Sequence, residues 1–364
     1  MKGKRMEREN PPQETIKLLI VDDSPLFRQM INMILQKHPH IDVAGLAENG
    51  EKAMKLVVER KPDVILLDLE MPHIDGFTFL RWMMAYYPTP VLVISSHSDG
   101  YSIFRALELG ACDFYGKPSS NGELLEQPKD LISKIETLSK ISKESLSKKY
   151  AKLAHSKKRV EVPQPPKRRG ALSRLLAIGA STGGPPALVE IVSNLPEEIP
   201  VPIVISQHMP PGFTKSFSER LNKLSHLRVS EVDGGEPLEA GRVYIAPGGY
   251  HLLFEKIGSR VHTCLKTKTE EDRYAPSVDL MMISAAEIFG PGVFGVILTG
   301  MGDDGKIGMS KVKKEGGVTL AESEETAVVF GMPREAIEAG VVDQVLPLHK
   351  IAEEIIQYYR RFPK

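Results

Sequence analysis

The run LLAIGASTGGPP, Leu175 to Pro186, decides the architecture of the C-terminal half of this 364-residue chain. Leu175–Gly179 reads as a strand. The Gly-rich turn that follows centres on Ser181, and Pro186–Asn194 reads as a helix. Working outward, the same alternation recurs. Ile203–Gln207, Arg242–Ala246, Val293–Thr299 and Val318–Ala321 are expected strands. Phe213–Leu224, Val278–Phe289, Lys306–Lys314 and Ile351–Arg361 are expected helices. Tyr250–Lys256 and Arg260–Lys266 flank Ile257-Gly258-Ser259, a hairpin signal. Strands separated by helices of ten or more residues need right-handed crossovers and a parallel sheet covered on both faces. Residues 172–364 therefore predict a doubly wound α/β domain with an antiparallel hairpin insertion.

The N-terminal half follows the same rule. Lys17–Val21, Val43–Ala47, Val64–Asp68, Val91–Ser95 and Asp113–Tyr115 read as strands. Pro25–Lys37, Glu51–Lys61, Phe77–Tyr86, Ile103–Leu109 and a segment from Leu124 onward read as helices. Five repeats in about 120 residues make one domain, 15–138. The texture changes from Lys140 to Gly170, which holds eleven Lys/Arg, two acids and the run Val162-Pro-Gln-Pro-Pro166. A solvated, basic, Pro-containing linker is expected over 139–171. Residues 1–14 are charged and lack an apolar segment, as expected of a disordered tail and not of a signal peptide.

Bulk properties narrow the classes. Lys+Arg and Asp+Glu stand at 47 each, so no global field favours nucleic acid or an anionic membrane. No apolar run reaches the roughly 20 residues of a membrane span. The two cysteines, Cys112 and Cys264, fall in separate domains and suit a reducing cytoplasm. A non-catalytic DNA-binding protein is disfavoured, because the second half shows no helix-turn-helix and is not basic.

In an open parallel sheet, chemistry gathers at the carboxyl ends of the strands. In the first domain those ends carry Asp22, Asp23, Asp68, Ser95 and Lys117. Converging carboxylates repel unless a cation sits among them, and hard oxygen ligands with room for phosphate suit Mg²⁺. Asp68 ends its strand and can accept a phosphoryl group. Lys117 can meet the phosphate as a point charge, and Ser95 Oγ can hydrogen-bond it. Asp22 has a plainer alternative as a helix N-cap.

In the second domain Gly179-Ala-Ser181-Thr-Gly183 fits G-x-S-x-G, a turn that exposes a serine hydroxyl near helix N–H groups. His208 follows the next strand and can take the serine proton. Asp304 follows Val293–Thr299 and can orient the imidazole. The order Ser, His, Asp differs from that of α/β-hydrolases. Gly300-Met-Gly302-Asp-Asp-Gly305 also reads as G-x-G-x-x-G, with Glu322 near the place of a ribose-binding acid. Two adjacent carboxylates there would repel a pyrophosphate, which disfavours a nicotinamide enzyme.

Val21-Asp-Asp-Ser24, Leu67-Asp-Leu-Glu-Met-Pro72, Ile94-Ser95 and Lys117-Pro118 resemble a response-regulator receiver of flavodoxin-like fold. Gly179–Pro185, Gln207-His-Met-Pro210, Ile245-Ala-Pro-Gly-Gly249, Pro276-Ser-Val-Asp279, Leu298–Gly302 and Gly331-Met-Pro-Arg-Glu-Ala336, behind that receiver, resemble the chemotaxis protein-glutamate methylesterase/protein-glutamine glutaminase family. The resemblance implies phosphorylation of Asp68 by a histidine kinase. It implies Mg²⁺ on Asp22, Asp23, Asp68 and the Glu70 carbonyl, and a Ser95–Phe114 switch acting with Lys117. In the second half it implies Ser181 as nucleophile, His208 as base and Asp304, not the adjacent Asp303, as orienting carboxylate. The Met301 N–H would be an oxyanion donor and Thr182 a supporting residue, with no catalytic cofactor. The implied substrates are glutamate γ-methyl esters and glutamines on the cytoplasmic helices of chemoreceptors, hydrolysed to glutamate with loss of methanol or ammonia. A cytoplasmic monomer without membrane insertion is expected, its unphosphorylated receiver packed over the Ser181 cleft.

Overall fold

The computed structural model of the chain describes residues 15–95, 100–117, 128–144, 146 and 172–361. The expected tail (1–14), most of the expected linker, Pro118 and the helix start at Leu124 lie outside the described residues.

The first sheet contains β1 (Ile16–Val21), β2 (Ile41–Ala47), β3 (Val64–Asp68), β4 (Val91–Ser95) and β5 (Asp113–Gly116). Its order is β2-β1-β3-β4-β5, parallel throughout. Four of its intervening and following helices are α1 (Pro25–Leu35), α2 (Gly50–Arg60), α3 (Gly76–Tyr86) and α4 (Gly100–Glu108), and α5 spans Lys129–Leu138. Leu18, Leu19, Ile20, Ile65 and Leu66 are wholly buried between the helical layers. Ser24, not Asp22, caps α1: its Oγ accepts the Phe27 N–H, while Pro25 fills a first-turn position needing no donor. Asn49 and Asp75 cap α2 and α3 in the same way.

The second sheet has seven strands in the order β14-β13-β12-β6-β7-β9-β8, also parallel. They are β6 (Leu175–Ala180), β7 (Ile203–Gln207), β8 (Arg228–Glu231), β9 (Arg242–Ile245), β12 (Val293–Ile297), β13 (Val318–Glu322) and β14 (Gln344–Leu346). The hairpin β10 (Tyr250–Ile257) and β11 (Arg260–Thr267) stands apart, its two-residue turn Gly258-Ser259 between paired Ile257 and Arg260. The helices are α6 (Gly184–Ser193), α7 (Phe213–Leu224), α8 (Val278–Phe289), α9 (Lys306–Lys314), α10 (Met332–Glu338) and α11 (Leu348–Arg360). The sequence pattern misses β8, β14 and α10. The two strands are edge strands of four and three residues, too short and too exposed to carry an apolar period.

The chain leaves β6 for β7 on one side and later returns to β12 on the other. Strand order reverses at β6, which opens a crevice at its carboxyl end. Ala180 pairs with Gln207, and Ile297 with Gly179, so the three strand ends are level.

Candidate active site and phosphoacceptor site

Ser181, His208 and Asp304 follow β6, β7 and β12, the three neighbouring strands at the crevice. The Ser181 turn is held by its own backbone: its N–H donates to Thr299 O at 3.0 Å, and its carbonyl accepts from Gly184 N–H at 2.7 Å. Gly183 has φ +77°, and a Cβ there would meet Val328 Cβ at 2.5 Å. Gly300 brings the backbone after β12 so close that an added Cβ would lie 2.8 Å from Ser181 Cβ. Gln207 Nε2 donates to the Ser181 carbonyl at 2.9 Å and to that of His208 at 3.1 Å, tying the first two turns together.

His208 Nδ1 lies 3.1 Å from Ser181 Oγ, and His208 Nε2 lies 2.7 Å from Asp304 Oδ2. The tautomer with hydrogen on Nε2 satisfies both: Nε2–H donates to the carboxylate, and Nδ1 is free to accept the serine hydroxyl. Asp304 also accepts the N–H groups of Val278 at 2.8 Å and Asp279 at 2.9 Å, and the Ser277 hydroxyl at 3.1 Å. Burial pushes its carboxyl up, but the His208 hydrogen bond and charge and the helix N–H groups outweigh that and hold it below its usual value. Asp304 does not cap the helix that follows it, α9; its amide partners belong to α8. Asp303 points away, half exposed, 3.5 Å from Arg273 Nη1 and 3.9 Å from Lys306 Nζ. Glu322 is wholly buried and accepts the Thr299 N–H at 2.8 Å, so it is not a group lining an open nucleotide crevice.

Sequence reasoning misses Tyr274, whose ring stacks on His208 with centroids 4.2 Å apart and planes at 10°. Nothing local in the loop before Ala275-Pro276 marks it.

At the first sheet's carboxyl edge, Val21 pairs with Leu67, Asp68 with Ile94, and Ser95 with Gly116. Asp22, Asp23, Asp68, Ser95 and Lys117 thereby share one rim. Oxygens of Asp22, Asp23 and Asp68 lie within 4.8 Å of one another. Lys117 Nζ lies 2.5 Å from Asp68 Oδ2 and 2.9 Å from Asp22 Oδ2. The Asp22 oxygen is buried without a well-directed hydrogen bond. Burial pushes Asp22 up to about 6, Lys117 opposes the rise, and the Asp68 charge adds to it. Three clustered carboxylate oxygens, one poorly satisfied, fit a divalent cation. The Glu70 N–H donates to Asp68 Oδ1 at 3.2 Å. Ser95 and Phe114 are both buried, and the Phe114 ring lies 4.9 Å from that of Phe213 in the other half.

That last contact belongs to a larger interface. Thr182 Oγ1, beside the serine, donates to Asp113 Oδ2 at 2.6 Å, and Lys134 Nζ meets the same oxygen at 2.7 Å. Burial opposes the Lys134 charge, but Asp113 and Asp130 outweigh it and hold the ammonium above its usual range. The hydroxyls of Ser133 and Thr137 on α5 donate to Met301 Sδ. Helix α4 packs on α6 and α7, with Phe104 against Phe217 and Arg220 paired to Glu108.

A family model described as CheB methylesterase matches residues 176–355, and one described as response regulator receiver domain matches 18–129. A protein-glutamate methylesterase/protein-glutamine glutaminase of Geobacter sulfurreducens is 45% identical over 359 residues, covering 94% of this chain and 97% of its own. One from Pyrococcus abyssi is 40% identical over 347 residues, with 94% and 93% covered. Among solved structures, the Thermotoga maritima CheB methylesterase catalytic domain matches with 48% identity and a TM-score of 0.50, covering 51% of this chain and 98% of that one.

Proposed function

Because the chain belongs to the CheB methylesterase family, we propose that it hydrolyses glutamate γ-methyl esters of chemoreceptors through Ser181 and deamidates receptor glutamines by the same route. The observation that carries the residue roles is the continuous hydrogen-bonded line from Ser181 Oγ through His208 to Asp304, with spacings of 3.1 and 2.7 Å. Ser181 Oγ attacks the γ-carbonyl carbon while its proton passes to His208 Nδ1. Asp304 stabilises the imidazolium, and the Met301 N–H faces the developing oxyanion with Thr182 supporting the turn. The C–O bond to the methoxy group breaks, and the imidazolium returns its proton to release methanol. A water then gives a proton to His208 and adds to the acyl carbon, freeing glutamate and restoring the serine. With a glutamine side chain the leaving group is ammonia.

Measurement of methanol release from methylated receptor membranes tests this. Ser181→Ala is expected to lose at least a thousandfold in kcat; a variant keeping a tenth of the parent activity would refute the assignment.

The N-terminal half is the control element. Asp68 takes a phosphoryl group from a histidine kinase, and Asp22, Asp23, Asp68 and the Glu70 carbonyl would hold Mg²⁺, which supplies charge neutralisation during the transfer. Lys117 meets the new phosphoryl oxygens, and Ser95 moves toward them with Phe114 following. The Phe114–Phe213 and Asp113–Thr182 contacts over the crevice then loosen, and the site opens. A cytoplasmic compartment fits this partner set, and among the described residues no helix is long and apolar enough to cross a membrane.

A further inference from the structure

Asp279 lies in the first turn of α8, outside the line from Ser181 to Asp304. Its Oδ1 accepts the N–H of Gly305 at 2.9 Å and of Gly308 at 2.6 Å. Those amides open α9, and Gly305 is the residue immediately after Asp304. In return, Asp304 accepts the N–H groups of Val278 and Asp279, which open α8. Each acid thus binds the start of the other's helix, a closed exchange of four N–H···O bonds. The two helices meet tightly here: a Cβ on Gly308 would lie 2.7 Å from Met282 Cβ and 3.1 Å from Asp279 Cα.

The exchange fixes more than helix ends. Asp304 Oδ2 serves both His208 Nε2 and the Val278 N–H, so a small rotation of the carboxylate breaks one bond or the other. The side chain that grips the backbone just past Asp304 therefore sets the pose of the carboxylate on the imidazole. The arrangement keeps two acids close at an electrostatic cost: burial pushes Asp279 up to about 6, and the charge of Asp304 adds to the rise.

We infer that Asp279 is a positioning residue for the hydrolysis, holding Asp304 in register with His208 by binding the amides of Gly305 and Gly308. This rests on the serine chemistry proposed above, and its mode of action is geometric: one oxygen in one place, accepting two N–H groups. Asn offers the same oxygen without the charge. Glu offers the charge with the oxygen displaced by a methylene, and Ala offers neither.

The test compares the full chain, activated with a small phosphodonor and Mg²⁺, with its Asp279→Asn, Asp279→Glu and Asp279→Ala variants. Methanol release from methylated receptor membranes is measured, and folding is checked by circular dichroism. Asp279→Asn is expected to keep at least a third of the parent kcat. Asp279→Glu and Asp279→Ala should lose tenfold or more in kcat, with KM within twofold. In an Asp304→Asn background, Asp279→Ala should cost less than a further threefold, because both changes act through one carboxylate. A folded Glu or Ala variant within twofold of the parent would overturn the inference. So would an undiminished loss in the Asp304→Asn background, or a failure of both variants to fold, which would make Asp279 a requirement of the fold alone. The parent and Ser181→Ala, run beside them, report on the serine chemistry itself, so its failure is distinguishable from this one.

Discussion

His208 is bounded on three sides: a hydroxyl at Nδ1, a carboxylate at Nε2 and the Tyr274 ring across its face. The stack restricts rotation of the imidazole and keeps water off one side. Such aromatic pairs contribute about 0.5–1.5 kcal/mol beyond burial, a factor of roughly 2 to 12 in rate if it acts on positioning. Tyr274→Phe should therefore leave kcat for methanol release within twofold, because the ring remains. Tyr274→Ala should lower kcat about tenfold, and steady-state kinetics on the two variants decide it. The serine, histidine and acid were legible from sequence because each follows a strand in a recognisable turn. Tyr274 and Asp113 were not, since neither belongs to a local pattern. Tyr274 gains its meaning from a ring stacked on a histidine 66 positions earlier, and Asp113 from a hydroxyl 69 positions away.

Among the elements, the parallel strands were the most readable part of the chain: Val64–Asp68 and Val91–Ser95 are buried along their whole length and so are uniformly apolar until the functional residue that ends each. Edge strands β8 and β14 have one side in solvent and too few residues for a period to show. Helix starts were partly readable, and Asp75 offers a test. Its Oδ1 accepts the Thr78 N–H at 2.7 Å, and that bond chiefly holds its carboxyl below the usual value. A depressed folded-state value means the stabilisation is full above the ordinary carboxylate range and is lost as pH falls through it. Asp75→Ala is expected to cost about 1 kcal/mol in urea unfolding of the N-terminal half at pH 7. The difference from the parent should shrink as the pH is lowered from about 5 towards 3, and a difference that grew on acidification would contradict the cap.

At the scale of the whole molecule, one carboxylate joins the two sheets. Asp113 starts β5, the strand that carries Phe114, and its Oδ2 takes both Lys134 from its own half and Thr182 from beside Ser181. In the control scheme proposed above, a movement of β5 on phosphorylation passes to the serine turn through this one carboxylate. Asp113→Asn weakens the hold on Lys134 and Thr182 while keeping the side-chain volume. Methanol release without phosphodonor should rise about three- to tenfold, and the further stimulation by phosphodonor should shrink by a similar factor. Unchanged basal release would argue that the other contacts of the interface keep the site closed without Asp113. The N-terminal half and the Ser181 crevice it packs against are stretches of one polypeptide, so under the proposed control each centre carries its own inhibitor at a fixed stoichiometry. Under that scheme dilution or overexpression leaves the ratio of shut to open molecules untouched, and the rate per molecule follows the phosphorylation signal and not the copy number.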